Sequence, residues 1–171
     1  GFYIIDDPKV PMELILDRAG MAQRQVKGNY VNRYAFYDET LRLAMLEEQE
    51  ITGQMNFALE HGQFDIYLQP KCRLDTGLVT GAEALVRWFH PKKGMLLPGK
   101  FIPIFEKNGF ILRLDAFVWE RACQVIRGWL DQGVQPLPIS VNLSRSNIYN
   151  PNLVQTLVSL PKKYKIPTWL L

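Results

Sequence analysis

The chain has 171 residues, 47% apolar and 22% charged, with a net charge of +3. That is enough for one ordinary domain with a core, or one domain plus part of another. The charge is too small to suggest a nucleic acid polymer, and no apolar run approaches the roughly 18 residues of a membrane span. There is no basic start followed by an apolar stretch, so no signal peptide is visible. Position 1 reads as an excised boundary.

Gly1–Ile5 reads as a strand, ended by Asp6-Asp7-Pro8. Ile15, Ala19, Ala22 and Val26 then recur at the spacing of one helix face, and Gly28 is a C-terminal stop. One strand and one helix cannot bury a core, so residues 1–28 read as the tail of another domain. Asp38 is a good N-cap for a second helix, and 33–62 reads as a connecting helix that Gly53 could divide in two. The run Glu47-Glu48-Gln49-Glu50 is a solvated face and argues against a long coiled coil.

Beyond residue 62 the pattern changes. Strands are expected at Phe64–Pro70 and Leu78–Trp88, separated by the turn Leu74–Gly77. A basic turn His90–Gly94 follows, then a short helix from Pro98 with Gly109 behind it. Asp115 is expected to cap a longer helix with a buried stripe of Phe117, Val118, Ala122, Val125, Ile126 and Trp129. Pro138–Leu143 reads as a third strand, Asn150–Tyr164 as a helix, and Trp169–Leu171 as the start of a fourth strand. This alternation predicts parallel strands joined by crossovers, in an open doubly wound sheet or a β/α barrel. No GxGxxG or P-loop turn is present.

Cys72 and Cys123 lack metal-ligand spacing and read as ordinary thiols. His61 and His90 sit beside turn residues and read as surface or capping groups. Residues 1–62 hold 6 basic and 10 acidic side chains, net −4; residues 63–171 hold 14 and 7, net +7. A basic second part suggests an anionic partner there.

The chemistry concentrates in Thr80–Trp88. With period 2, Glu83, Leu85 and Arg87 share one face, and Ala84, Val86 and Trp88 the other. A charge on an apolar strand needs a partner, a metal or a use. Gln69 on the first strand and Asn142 on the third present further polar groups. A carboxylate and an amide oxygen are hard ligands for Mg²⁺, Mn²⁺ or Ca²⁺, and Arg87 suits a phosphate. Together they describe a site for a phosphoryl compound. A structural Glu83–Arg87 ion pair with a hydrogen-bonded Asn142 explains the same spacing, and both readings stay open.

Tyr67-Leu-Gln-Pro70, Gly81–Trp88, Phe101–Gly109 and Val141-Asn-Leu-Ser144 stand in an order and spacing that resemble the first half of an EAL domain. The resemblance implies a partial (β/α)8 TIM-like barrel over 63–171, with a helical linker over 29–62. It implies Mg²⁺- or Mn²⁺-dependent hydrolysis of cyclic di-GMP to pGpG. By that likeness Glu83 is the catalytic, metal-binding glutamate and Asn142 a second metal ligand. Gln69, Leu85 and Arg87 match substrate-binding positions, with Arg87 on a phosphate. Glu106 lies near the site rim without a firm role. Residues 1–28 resemble the C-terminal strand and helix of a GGDEF domain. This implies a bacterial GGDEF–EAL signalling protein in the cytoplasm, with a homodimer through the EAL part or the linker helix.

Such a barrel needs about 250 residues, so 63–171 is expected to be inactive alone, and its open sheet edges to favour self-association or poor solubility. A non-catalytic module that binds cyclic di-GMP or a protein partner is the competing reading, and a purely structural linker role for 33–62 is a third.

Overall fold

The computed structural model describes residues 1–28, 31 and 33–171. The chain forms two compact units, Gly1–Gly53 and Gln54–Leu171.

In the first unit, helix α1 spans Met12–Val26, and Gly28 behind it adopts φ +84°. The strand expected at Gly1–Ile5 reduces to one parallel bridge, Phe2 with Phe36. Phe2 N–H donates to the Ala35 carbonyl (2.8 Å), and Tyr37 N–H to the Phe2 carbonyl (2.7 Å). Two bonds fix a contact but not a ladder. Arg18 hydrogen-bonds the Tyr3 hydroxyl, with its guanidinium over the rings of Tyr3 and Tyr37.

Helix α2, Glu39–Glu60, runs through the boundary between the units. Asp38 caps it as expected, its carboxylate accepting from Leu41 N–H at 2.7 Å. Gly53 does not divide it. A glycine costs a helix interior only about 1 kcal/mol, too little to break 22 residues.

The second unit is built on a hairpin. Strand β1, Phe64–Cys72, pairs antiparallel with β2, Val79–His90. The expectation of parallel pairing fails here because the turn Arg73–Leu78 is far too short for a crossover. Arg73 N–H closes that turn on the Leu78 carbonyl at 3.0 Å, and Gly77 takes φ +69°. Strand β3, Gly94–Leu96, was not expected. The basic turn folds it back antiparallel onto Trp88–His90. His90 is buried, and its Nδ1 accepts from Lys92 and Lys93 N–H (3.1 and 3.2 Å), a capping role.

Helix α3, Pro98–Asn108, starts on its proline and stops at Gly109, φ +79°. Helix α4, Ile111–Asp131, begins before Asp115, so that residue is not its cap but lies one turn inside. Its buried stripe is Ile111, Leu114, Asp115, Val118, Trp119, Ala122, Cys123 and Ile126. Phe117, Val125 and Trp129 are only half-buried.

Strand β4, Ile139–Val141, does pair parallel with β2, Ala82–Ala84, after the α3–α4 crossover. Helix α5 spans Leu153–Lys163. Trp169–Leu171 is not a strand. Its backbone bonds locally, Leu170 N–H to the Pro167 carbonyl (3.1 Å), in a 3-10 turn over Thr168–Leu170. A strand exists only where a ladder partner takes its N–H groups.

The core lies between the sheet and helices α3 and α4. Phe64 and Trp88, 5.0 Å apart, meet Phe101 and Phe105 mostly edge-on, with ring centroids 5.8–6.2 Å apart. Fully burying one such side chain is worth about 1.5–3 kcal/mol. This cluster fixes which face of β2 turns inward to the helices, and so which face is left for chemistry.

Candidate functional site

Burial along β2 alternates as period 2 requires. Ala84, Val86 and Trp88 are buried against the helices, while Glu83, Leu85 and Arg87 are half-buried on the opposite face. Cross-strand partners share a face. Gln69 stands opposite Glu83, Tyr67 opposite Leu85, and Ser140 pairs with Glu83 from the other side. Asn142, one residue past β4, joins the same face. All five expected site residues, Gln69, Glu83, Leu85, Arg87 and Asn142, therefore meet on one side of the sheet.

They meet in the middle of β2 rather than at its end. Because β1 runs antiparallel, Gln69 reaches this level near the C-terminal end of its strand, while Glu83 lies in the first half of β2.

Asn142 Nδ2 donates to Glu83 Oε1 at 2.8 Å. That contact puts a carboxylate and an amide, both hard oxygen donors, within reach of one small cation. Turning the amide about its last bond would present its oxygen instead of its nitrogen. Among the described residues no group of three or more His, Cys, Asp or Glu is placed to hold a metal. In kind, this pair of oxygen donors fits a hard divalent cation such as Mg²⁺ or Mn²⁺, to which it would offer two ligands.

Arg87 does not pair with Glu83. Its Nη1 donates to the Val86 carbonyl (2.8 Å), and its guanidinium carbon lies 5.5 Å from the centre of the Tyr67 ring. Phe89 N–H bonds the Gln63 carbonyl on the β1 side, so by alternation the Val86 carbonyl points to the other edge. There β4 covers residues 82–84 and β3 covers 88–90, leaving Leu85–Arg87 between them. Arg87 tends its own strand's carbonyl in that notch.

Asp65, opposite Arg87 in register, is taken by Arg121 of α4 (2.8 Å). The hydrogen bond from Arg121 holds the Asp65 carboxyl below its ordinary range. Neither the Val86 carbonyl nor the Tyr67 ring neutralises Arg87, and a guanidinium can give two parallel N–H bonds to an anion.

Sequence reasoning missed several members of this neighbourhood. Lys71 reaches over Gly81, which has no side chain, to donate to the Ser140 hydroxyl. Ser140 in turn donates to the Ala82 carbonyl (3.1 Å), pinning β4 to β2 beside Glu83. Tyr67 was visible only as part of a motif. Period 2 places Tyr67 and Lys71 on the Gln69 face, a signal present in the sequence. Behind the sheet, Leu85, Asn142 and Asp115 border a cavity of about 120 Å³ also lined by Ile102, Ile111 and Val118.

The EAL domain family model matches residues 53–171 of the chain. The chain belongs to the EAL domain family. Among its relatives, an uncharacterized protein of Mycobacterium tuberculosis is 45% identical over 105 residues, 61% of this chain and 34% of that protein. The bifunctional diguanylate cyclase/cyclic di-GMP phosphodiesterase MucR of Pseudomonas aeruginosa is 33% identical over 150 residues, 88% of this chain and 22% of MucR. The structure of the MucR phosphodiesterase in complex with c-di-GMP matches with a TM-score of 0.64 and 34% identity, covering 68% of this chain and 47% of that one.

The chain thus spans about a third of the mycobacterial relative and about a fifth of MucR. The EAL fold it shares is a TIM-like barrel, partial here. No helix among the described residues is long and apolar enough to cross a membrane.

Proposed function

We propose that this EAL chain serves a metal-dependent phosphodiesterase that opens cyclic di-GMP to pGpG. The carrying observation is the contact of Asn142 with Glu83 on a face that also presents Gln69, Leu85 and an un-neutralised Arg87. Glu83 and Asn142 would hold Mg²⁺ or Mn²⁺. When bound, such a cation makes water a better nucleophile and offsets charge developing on a phosphoryl group. Arg87 takes a phosphate oxygen pair, its plane set by Tyr67. Gln69 and Leu85 line the same face, one for polar and one for apolar contact with the dinucleotide.

MucR, whose name pairs a cyclase with a phosphodiesterase, supports placing the chain in a bacterial GGDEF–EAL signalling protein, and we read that protein as acting in the cytoplasm. In that reading residues 1–28 come from a GGDEF-like domain and 29–62 link it to the EAL part over 63–171. Asn29, Tyr30 and Asn32 of that linker lie outside the described residues. The linker helix or the EAL part would carry a homodimer contact. Two hard donors are fewer than a hydrolytic metal site uses, so the 171-residue chain should bind without turning over.

Calorimetric titration of cyclic di-GMP into the chain, with and without Mn²⁺, tests this alongside chromatography for pGpG. Binding that needs Arg87 and strengthens with Mn²⁺ supports the proposal. Binding indifferent to Mn²⁺ and to Glu83→Gln favours a non-catalytic cyclic di-GMP module. No binding at millimolar ligand rejects both, and pGpG formation rejects the expectation that two donors are too few.

A further inference from the structure

Asp115 is a buried carboxylate that the proposed chemistry does not use, and it is 8% exposed. Both of its observed donors are neutral. Asp115 Oδ2 accepts Ser144 N–H at 3.0 Å and Asn147 Nδ2 at 2.6 Å. One helical turn further along α4, Trp119 is 2% exposed, and its Nε1 donates to the backbone carbonyl of Asn142 at 3.0 Å. Residues four apart share a helix face, so one face of α4 grips the segment 142–147 at three points.

That segment needs holding. The β2–β4 ladder ends at Val141, so among the described residues Asn142 and the residues just after it have no strand partner to fix them. A 3-10 turn, Arg145–Tyr149, comes next. A buried carboxylate is costly unless hydrogen-bonded, and an apolar residue would pack α4 as well. The carboxylate has a reason here, because it satisfies an irregular backbone that no ladder can.

We infer that Asp115 and Trp119 are positioning residues for Asn142. They anchor its backbone from behind so that its carboxamide stands against Glu83. The inference rests on reading Glu83 with Asn142 as the cation-holding pair, and it extends that pair into α4. Neither side chain touches substrate or cation. Their effect runs through Asn142.

The test compares Trp119→Phe, Asp115→Leu and Asp115→Asn in the 171-residue chain, with Glu83→Gln as control. Free Mn²⁺ is read by electron paramagnetic resonance, Tm by calorimetry, and the Asn142 side-chain amide by ¹⁵N NMR and its exchange with solvent. Asp115→Leu and Trp119→Phe should each weaken Mn²⁺ binding about tenfold, in the range seen for groups that orient a metal ligand. Both should speed exchange of the Asn142 amide. Asp115→Asn, whose amide oxygen still accepts both donors, should restore most of both.

Variants that lower Tm but leave Mn²⁺ affinity within about twofold and the Asn142 amide unchanged would overturn the inference. If the parent chain holds no Mn²⁺, or Glu83→Gln changes nothing, the cation reading fails by itself. The Asn142 amide exchange still decides whether α4 positions that side chain.

Discussion

The carboxamide of Asn142 donates to the carboxylate of Glu83 across 2.8 Å, joining the end of β4 to the middle of β2. Replacing the amide by a carboxylate sets two like charges at that spacing, and like charges so close repel. Asn142→Asp should therefore lower Tm at pH 7, and millimolar Mn²⁺ should restore it. Calorimetry with and without Mn²⁺ checks both halves. An unchanged Tm would mean the two side chains do not meet in solution.

Arg87 lies over the Tyr67 ring at 5.5 Å. A cation–π contact at a half-exposed site is worth about 0.5–1 kcal/mol. Tyr67→Leu should thus weaken cyclic di-GMP binding by roughly two- to fivefold, while Tyr67→Phe should keep it. Arg87→Lys should cost more, because an ammonium loses both the stacking plane and the two-pronged grip on phosphate. Equal affinities for the Tyr67→Leu and Tyr67→Phe variants would show that the ring does not orient Arg87.

Gly81 lies against the backbone of Pro138, just before β4. A Cβ placed there would lie 2.9 Å from the Pro138 carbonyl oxygen, the acceptor of the Ala82 N–H bond. Backbone cannot yield as a flexible side chain would, so Gly81→Ala should destabilise the second unit by about 1–3 kcal/mol. It should also disturb the Lys71 contact that crosses Gly81 to Ser140. Urea unfolding measures the first effect. A midpoint equal to that of the parent chain would refute the close approach.

Two partly exposed carboxylates tie helices to their neighbours. Asp65 is held low by the Arg121 hydrogen bond, and Glu120 by Lys163 first and Tyr164 second. A carboxyl depressed in the folded state contributes stability above its unfolded pKa, and that contribution is lost as pH falls through the folded value. With unfolded values near about 4, Tm should stay level from pH 7 to 5 and fall below about pH 4. The Asp65→Asn variant should show a shallower fall. An equally steep acid limb in that variant would exclude the pair as a cause.

The two thiols should behave differently. Burial first, then the Glu120 charge, pushes Cys123 up to about 11, while Cys72 is exposed at the end of β1. A thiolate is the reactive form, so a disulfide reagent at pH 8 should label one thiol in the folded chain and two in urea. Two rapid equivalents without denaturant would place Cys123 at the surface.

Much of the second unit was legible in the sequence. The alternation of Glu83, Leu85 and Arg87 against Ala84, Val86 and Trp88 needs only a strand's period of 2, and β2 keeps it. The stops at Gly109 and Gly133 follow from positive φ, which glycine adopts freely. Asp115 was misread because an aspartate before an apolar stripe is what an N-cap looks like. Nothing local shows that α4 starts earlier, or that its carboxylate is claimed by Ser144 and Asn147 far along the chain. Trp169–Leu171 was misread for a related reason, since apolar residues satisfy a strand pattern without supplying a ladder partner.

The sequence by itself determined the two faces of β2, the helix that Asp38 opens, and the residue types that make the family recognisable. These rest on periodicity, caps and spacing, which act over a few residues. Only the tertiary structure decided that β1 returns antiparallel, so that Gln69 lies beside Glu83. It also decided that Arg87 leans on Tyr67 rather than pairing with Glu83, and that Asn142 is held from behind by α4. Such contacts link residues 14 to 32 positions apart, and which of several suitable partners meets a side chain is set by packing around Trp88, Phe101 and Phe105.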